Sequence, residues 1–379
     1  MSKVKLNDVA IEAKVKYEAI EGAPIRTVGL EHLTPSDIDL RDYATGAETT
    51  FTKGFSKGDI LFGRRRAYQK KAAVAPFDGV CSGDITVIRA IDGAINKNLL
   101  PFIVQNDYFF DYAMGNSAGS MSPRVKWARL GEFEFELPSS RRQDELADLM
   151  WAIQETRRDY KAIVEECGNV IKSRFIEMFG GASLPTVKAG DVFLSLRNGL
   201  SPSKSGAFHA KVLTLSAITQ GGFDAESWKD GTFKEEPPED KRVSKDDLYI
   251  CRGNGNKALV GTVEFAKTSL PDLVFPDTMI AGKIDATKVN MQYLCAAWKQ
   301  LAVRDQIEAK ARTTNGTYKI NQEIVAEIKL PLPPLPLQEE FAAFVEQVDK
   351  LEFDTRKALE SLNAISNAIL NEELGLTHG

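Results

Sequence analysis

The sequence predicts a mixed α/β protein: two globular domains separated by two long antiparallel coiled-coil helices, arranged as a pseudo-two-fold internal repeat. The first observation is a repeated landmark. Leu137-Pro-Ser-Ser-Arg-Arg-Gln143 returns 195 residues later as Leu332-Pro-Pro-Leu-Pro-Leu-Gln338. Without a gap, that offset lays Gln143-Asp-Glu-Leu on Gln338-Glu-Glu-Phe, Phe175 on Leu370, Gly180 on Gly375, and Ser122-Pro-Arg-Val-Lys126 on Thr317-Tyr-Lys-Ile-Asn321. Further upstream, Ser56-Lys-Gly-Asp-Ile-Leu-Phe62 echoes Ser244-Lys-Asp-Asp-Leu-Tyr-Ile250 at a shorter offset, as insertions would produce. A fixed order of landmarks over the whole length is the signature of a repeat.

The second observation is a heptad seam after each landmark. In the second copy Leu337, Phe341, Phe344, Val348, Leu351, Thr355, Ala358, Leu362, Ile365 and Ile369 alternate in steps of four and three. In the first, Leu146, Leu149, Ile153, Thr156, Tyr160, Ile163, Cys167 and Val170 hold the equivalent places, with Arg142 and Arg174 fraying the two ends. Such spacing marks coiled-coil a and d positions. Pro138 and the proline-rich 331–336 run start the helices, and Gly180-Gly181 and Gly375 stop them. At 1.5 Å per residue each helix is ~60 Å long.

The third observation is the lack of helix-length periodicity before the seams. Short β-rich runs (Asp59–Phe62, Ile85–Ile88, Val212–Leu215, Leu248–Ile250) alternate with Gly, Pro and Asp, and helices are expected at Leu99–Tyr112 and Met291–Ala311. In order, the domains read as 1–137, a helix over 138–180, a second domain over 181–332, and a helix and tail over 333–379. A chain of 379 residues accommodates this comfortably.

Composition narrows the function classes. Hydrophobic residues at 43% and charged residues at 27% exclude a wholly disordered chain. No signal core appears, nor any stretch near the ~18 uncharged residues of a membrane span. The four cysteines form no CxxC pair, which excludes a zinc ribbon and fits the cytoplasm. The three histidines have no metal-ligand spacing, and no GxSxG, HExxH or P-loop is present. An aminomethyltransferase Asn/Asp-Pro-Pro-aromatic motif is absent too. The chain therefore reads as non-catalytic, with no cofactor and no metal.

Net charge is −5, so nucleic-acid binding has to rest on where the charges lie. Between Lys53 and Lys71 seven basic residues face the single Asp59, and Arg64, Arg65, Arg66, Lys70 and Lys71 follow a strand-like run directly. The equivalent place in the second copy, Arg252-Gly-Asn-Gly-Asn-Lys257, offers Arg252, Asn254, Asn256 and Lys257. Glycines there allow close backbone approach, and Arg and Asn can read base edges. The second helix is acidic, nine carboxylates against three basic residues over 333–375, so it suits a spacer better than a DNA face. Paired antiparallel helices would hold two unlike readers about a helix length apart. Dimeric DNA-binding proteins do this with two chains.

These residues resemble a known family. Asp59-Ile-Leu-Phe followed by arginines, Cys81-Ser-Gly-Asp-Ile-Thr-Val87, Ser173-Arg-Phe-Ile-Glu-Met-Phe-Gly180 and Lys329-Leu-Pro-Leu-Pro-Pro-Leu-Pro-Leu-Gln338 are similar to the specificity subunit of type I restriction–modification systems. The resemblance covers essentially the whole chain. It implies two target-recognition domains, each reading one half of a bipartite asymmetric site in double-stranded DNA. It also implies helices that set the spacer and dock two modification (methyltransferase) subunits, with restriction (nuclease/translocase) subunits as further candidate partners. The pre-helix loops add Arg124 and Lys126 to the first DNA face, and Thr313, Asn315, Tyr318 and Lys319 to the second. A coiled-coil protein–protein adaptor without DNA binding is the alternative reading.

Overall fold

The computed structural model describes residues 2–17, 24–181, 184–314 and 316–376. It divides into two compact units, the first built of Met1–Ala162 with Thr355–Gly379 and the second of Ile163–Asp354.

In the first unit an antiparallel sheet runs in the order Ala10–Glu12, Ile85–Ala90, Ile60–Gly63, Ala72–Val74. Its Ile60-Leu-Phe-Gly63 strand is buried on both faces. Ile60 and Phe62 join a core with Leu6, Phe109 and Phe110, while Leu61 joins Val28, Phe55 and Cys81. A strand with two dry faces reads as an unbroken apolar run, which is why it was visible in the sequence. A five-stranded sheet carries Val15–Lys16, Lys53–Phe55, Gly79–Cys81, Ile25–Val28 and Ala44–Gly46.

In the second unit the sheet order is Phe193–Asn198, Met279–Ile284, Asp247–Cys251, Val263–Phe265, again antiparallel. Leu248 and Ile250 pack with Tyr293 and Trp298, whereas Tyr249 and Cys251 pack with Leu213, Phe275 and Met279. Another four-stranded sheet holds Trp228–Phe233, Phe208–Leu213, Leu270–Val274 and Arg242–Val243. The expected strand at Val212–Leu215 is the end of Phe208–Leu213.

The aspartate of the Ser-Lys-x-Asp echo is buried in both units. Asp59 accepts from Arg89 Nε and Nη2, both at 2.6 Å, and Asp247 accepts from Arg197 Nη1 at 3.0 Å.

Each of the two expected domain helices is broken in two. Leu100–Val104 and Asp107–Gly115 replace Leu99–Tyr112, because the Asn106 side chain accepts from the Tyr108 N–H at 2.9 Å and starts a new helix. Met291–Trp298 and Leu301–Lys310 replace Met291–Ala311, with Gln300 extended between them.

The long helices span Ser140–Phe179 and Leu335–Glu373. The second closes at Gly375, whose positive φ of 61° lets the Leu376 N–H return to Asn371 O at 2.8 Å. Within the first unit Arg142 Nη2 reaches Glu373 at 2.5 Å and Arg157 reaches Ser366, so rising numbers on one helix meet falling numbers on the other. Within the second, Arg174 Nη2 lies 3.0 Å from Glu340, and Phe175 and Phe179 pack edge-on against Phe341 beside Tyr293.

The strict heptad expectation needs correction at six positions. Leu149, Ile163, Val170, Leu337, Leu351 and Ile365 are exposed by 38–54%. Leu146, Ile153, Phe341 and Val348 are buried, while Tyr160, Phe344, Leu362 and Ile369 are half-buried. The reason is geometric. Leu146, Ala147, Met150 and Ile153 form a wider 3.6-residue stripe that packs into the sheet domain's own core together with Leu370 and Leu374.

Each helix start is fastened by the glutamine of its landmark. Gln143 is 6% exposed; its Oε1 accepts from the Asn96 N–H at 2.8 Å and its Nε2 donates to Pro138 O at 2.9 Å. Gln338 is fully buried; its Oε1 accepts from the Asn290 N–H at 2.9 Å and its Nε2 donates to Pro333 O at 2.8 Å. Replacing Gln338 by Leu keeps the volume and strands these backbone groups, so stability should fall by about 2 kcal/mol or more, read as a lower urea midpoint. An unchanged midpoint would show that the staple is dispensable.

Candidate nucleic-acid interface

The sequence placed basic and amide side chains in a loop after a buried strand and in a second loop before each long helix. The structure brings those two loops together in each unit. In the first, the Arg66 N–H donates to Pro123 O at 3.0 Å and the Val125 N–H to Arg64 O at 3.0 Å, and Arg65 and Arg124 form an antiparallel bridge. In the second, the Ile320 N–H donates to Arg252 O at 2.9 Å. There Gly253–Asn254 pairs with Thr317–Lys319, which pairs in turn with Arg312–Thr314. Backbone bonds between segments distant in sequence give these loops fixed positions.

Arg66, Arg124 and Lys126 are exposed, and Arg64 and Arg65 half-buried. Arg66 has φ 56°, an uncommon left-handed conformation for a side-chain-bearing residue. In the second unit Asn256, Lys257, Thr313 and Lys319 are exposed and Arg252, Asn254 and Tyr318 half-buried. Asn315 lies outside the described residues. Asn254 and Asn256 also serve the loop itself, their side chains accepting from the backbone N–H groups of Asn256 and Ala258.

Lys70 and Lys71 differ from expectation. The Lys70 ammonium pairs with Asp107 at the start of the Asp107–Gly115 helix. Lys71 Nζ donates to Leu30 O at 2.7 Å, while its own carbonyl accepts from the Gly63 N–H. Both ammonium groups are thus committed within the unit, because the loop turns back at Lys70 (φ 50°) after the three arginines.

One residue that the sequence reading passed over is central. The Asp84 carboxylate lies between two of the arginines, 2.7 Å from Arg124 Nε and 3.3 Å from Arg65 Nη1. The Arg124 hydrogen bond, with Arg65 behind it, holds its pKa below the usual carboxylate value. Its signal was present, since Cys81-Ser-Gly-Asp84 is one of the family-like stretches, yet an acid attracts no notice in a search for cations.

Burial pushes the thiols of Cys81 and Cys295 up to about 12 and Cys251 to about 11, leaving them protonated and unreactive at neutral pH. Among the described residues no group of three His, Cys, Asp or Glu could hold a metal ion, and no helix is long and apolar enough to cross a membrane.

The different commitments of these cations can be measured. Lys71→Ala should lower stability by about 1 kcal/mol through loss of its hydrogen bond to the Leu30 carbonyl, whereas Arg66→Ala should stay within about 0.5 kcal/mol of wild type. Thermal melts of the two variants would separate a structural lysine from an exposed arginine.

Residues 185–364 match the type I restriction modification DNA specificity domain. The chain is 23% identical over 302 residues to the StySPI type I restriction enzyme specificity subunit of Salmonella potsdam. That alignment covers 73% of this chain and spans 64% of the relative's length. Among solved structures, the type I restriction–modification system S subunit from M. genitalium superposes with a TM-score of 0.57 at 12% identity, covering 98% of this chain and 96% of that one. A chain from a structural study of complex assembly and conformational transition of the type I R-M system gives 0.58 at 18% identity, covering 98% and 97%. Residues 185–364 are thus similar to the type I restriction modification DNA specificity domain, and 302 residues of the chain are similar to a type I restriction enzyme specificity subunit.

Proposed function

We propose that this chain is the sequence-specific DNA-recognition subunit of a type I restriction–modification complex, acting in the cytoplasm without catalytic chemistry of its own. Residues 1–137 and 181–332 are the two target-recognition domains, each reading one half of a bipartite asymmetric site in duplex DNA. The helices over 138–180 and 333–379 set the spacer and dock two methyltransferase subunits, and restriction subunits join where the system has them. The reading is carried by one observation: in each unit, backbone hydrogen bonds join the loop after the buried strand to the loop before the long helix. Two sequence-distant sets of phosphate- and base-compatible side chains thereby share one surface.

In the first domain Arg64, Arg65, Arg66, Arg124 and Lys126 supply contacts. In the second, Arg252, Asn254, Asn256, Lys257, Thr313, Tyr318 and Lys319 do so, with a larger share of neutral hydrogen-bonding groups. Phosphate contacts fix the register and base-edge contacts select the sequence. The unequal charge makes the first domain the stronger source of salt-dependent affinity.

Binding to duplex DNA should weaken with salt at a slope of about −0.9 per phosphate neutralised on a log–log plot. Changing Arg64, Arg65 and Arg66 together to alanine should make that slope shallower and blur one half-site, with the other half's sequence preference intact. The half-sites themselves come from methylome sequencing of cells with and without this chain. Salt-insensitive or absent duplex binding, with the methyltransferase subunit present, would favour a protein–protein adaptor instead.

A further inference from the structure

We infer that Asp84 is a positioning residue for sequence readout by the first domain, an inference that rests on the DNA-reading function proposed above. An acid within a cationic DNA face lowers its attraction for phosphate. Its place in this structure gives it a reason to be there.

The carboxylate holds two arginines at once. Asp84 Oδ1 accepts from Arg124 Nε at 2.7 Å, and Oδ2 from Arg65 Nη1 at 3.3 Å and Arg124 Nη2 at 3.4 Å. Arg65 is tied from its other side, its Nε donating to Ser122 Oγ at 2.5 Å. The backbone fixes the same three residues. The Arg64 N–H donates to Asp84 O at 3.0 Å, the Arg65–Arg124 bridge joins the two loops, and the Asp84 N–H donates to Ser82 Oγ at 3.2 Å. The carboxylate side chain is 20% exposed, against 36% for Arg65 and 46% for Arg124, so the acid lies deeper and the guanidinium groups further out.

A guanidinium has five N–H donors. Each of the two arginines spends two on these contacts and keeps three, all on its terminal nitrogens. That end is the one that pairs bidentately with O6 and N7 of guanine in the major groove. A mobile arginine would adapt to phosphate or to any base. A clamped one meets a single edge at a single place, and the nearby carboxylate repels any phosphate that approaches instead. The clamp therefore exchanges general affinity for discrimination, with guanine as the base class it favours.

Among the described residues the second unit has no such clamp. Its Arg252 N–H makes the corresponding bond to a threonine carbonyl, Thr278 O at 2.9 Å, so Thr278 stands where Asp84 stands. Arg252 Nη1 donates to Asp277 O at 3.0 Å, a backbone carbonyl. The two domains thus present arginine in different ways.

The test uses the full chain co-expressed with a methyltransferase subunit, as wild type, Asp84→Asn and Asp84→Glu. Each is selected against randomised duplexes, and its binding to one unrelated 30-base-pair duplex is titrated with salt. Asp84→Asn is expected to lose about tenfold in discrimination at guanine positions of one half-site, in line with the cost of a base-pair mismatch. The other half-site should keep its preference. The unrelated duplex should be bound at least as tightly as by wild type, with a salt slope steeper by about one contact. Asp84→Glu, which keeps the charge, should recover most of the discrimination. A selected sequence unchanged in Asp84→Asn, or a parallel loss on both half-sites and on the unrelated duplex, would overturn the inference while leaving DNA reading in place. A wild-type complex that selects no sequence would remove the underlying function, and the inference with it. Matching thermal melts of wild type and Asp84→Asn exclude misfolding as the source of a difference.

Discussion

The structure depends on how each long helix is fastened to the domain before it. A proline lead-in has no N–H of its own with which to tie the helix start to the preceding domain. Gln143 and Gln338 make that connection with their side chains. Each buried amide accepts from an asparagine N–H in the preceding domain and donates to the proline carbonyl just before the helix. A buried amide with both ends used tolerates almost no displacement, since any shift strands a polar group away from water. The strands Glu134–Leu137 and Lys329–Pro331 run into these staples and pair with Ser2–Lys5 and Thr186–Lys188. The loops that carry Arg124 and Lys319 lie just upstream, so helix and loop are placed by one short stretch of chain.

Charge follows the same logic of commitment. Lys70, Lys71, Arg89 and Arg197 resemble other surface cations in the sequence, yet each is tied to a carboxylate or a carbonyl of its own unit. Arg66, Lys126, Lys257 and Lys319 remain exposed on the loops. A basic cluster therefore divides into residues that hold the domain together and residues available to a ligand. Arg65 and Arg124 belong to both groups, anchored by Asp84 and still partly in solvent.

Much of the architecture was legible in the chain because it leaves periodic or punctuating traces. The two long helices begin and end within a few residues of their proline and glycine signals. The continuous apolar runs at Ile60–Phe62 and Leu248–Ile250 are strands with two buried faces. The breaks near Asn106 and Gln300 were not legible, because a single asparagine or glutamine is unremarkable within an amphipathic run. The exposure of Leu149, Ile163, Val170, Leu337, Leu351 and Ile365 was hidden for a related reason. A heptad pattern reports spacing along one helix, and burial depends on what lies opposite.

By itself the sequence determined the element types, the landmarks around Gln143 and Gln338, and which loops carry cations. These properties are encoded locally, in propensity, period and composition. Tertiary structure alone decided which cations stay available and where Asp84 sits, because both depend on loops far apart in the chain meeting through backbone hydrogen bonds. Such meetings follow from packing and from the need to satisfy every buried polar group, and they leave no period in the sequence.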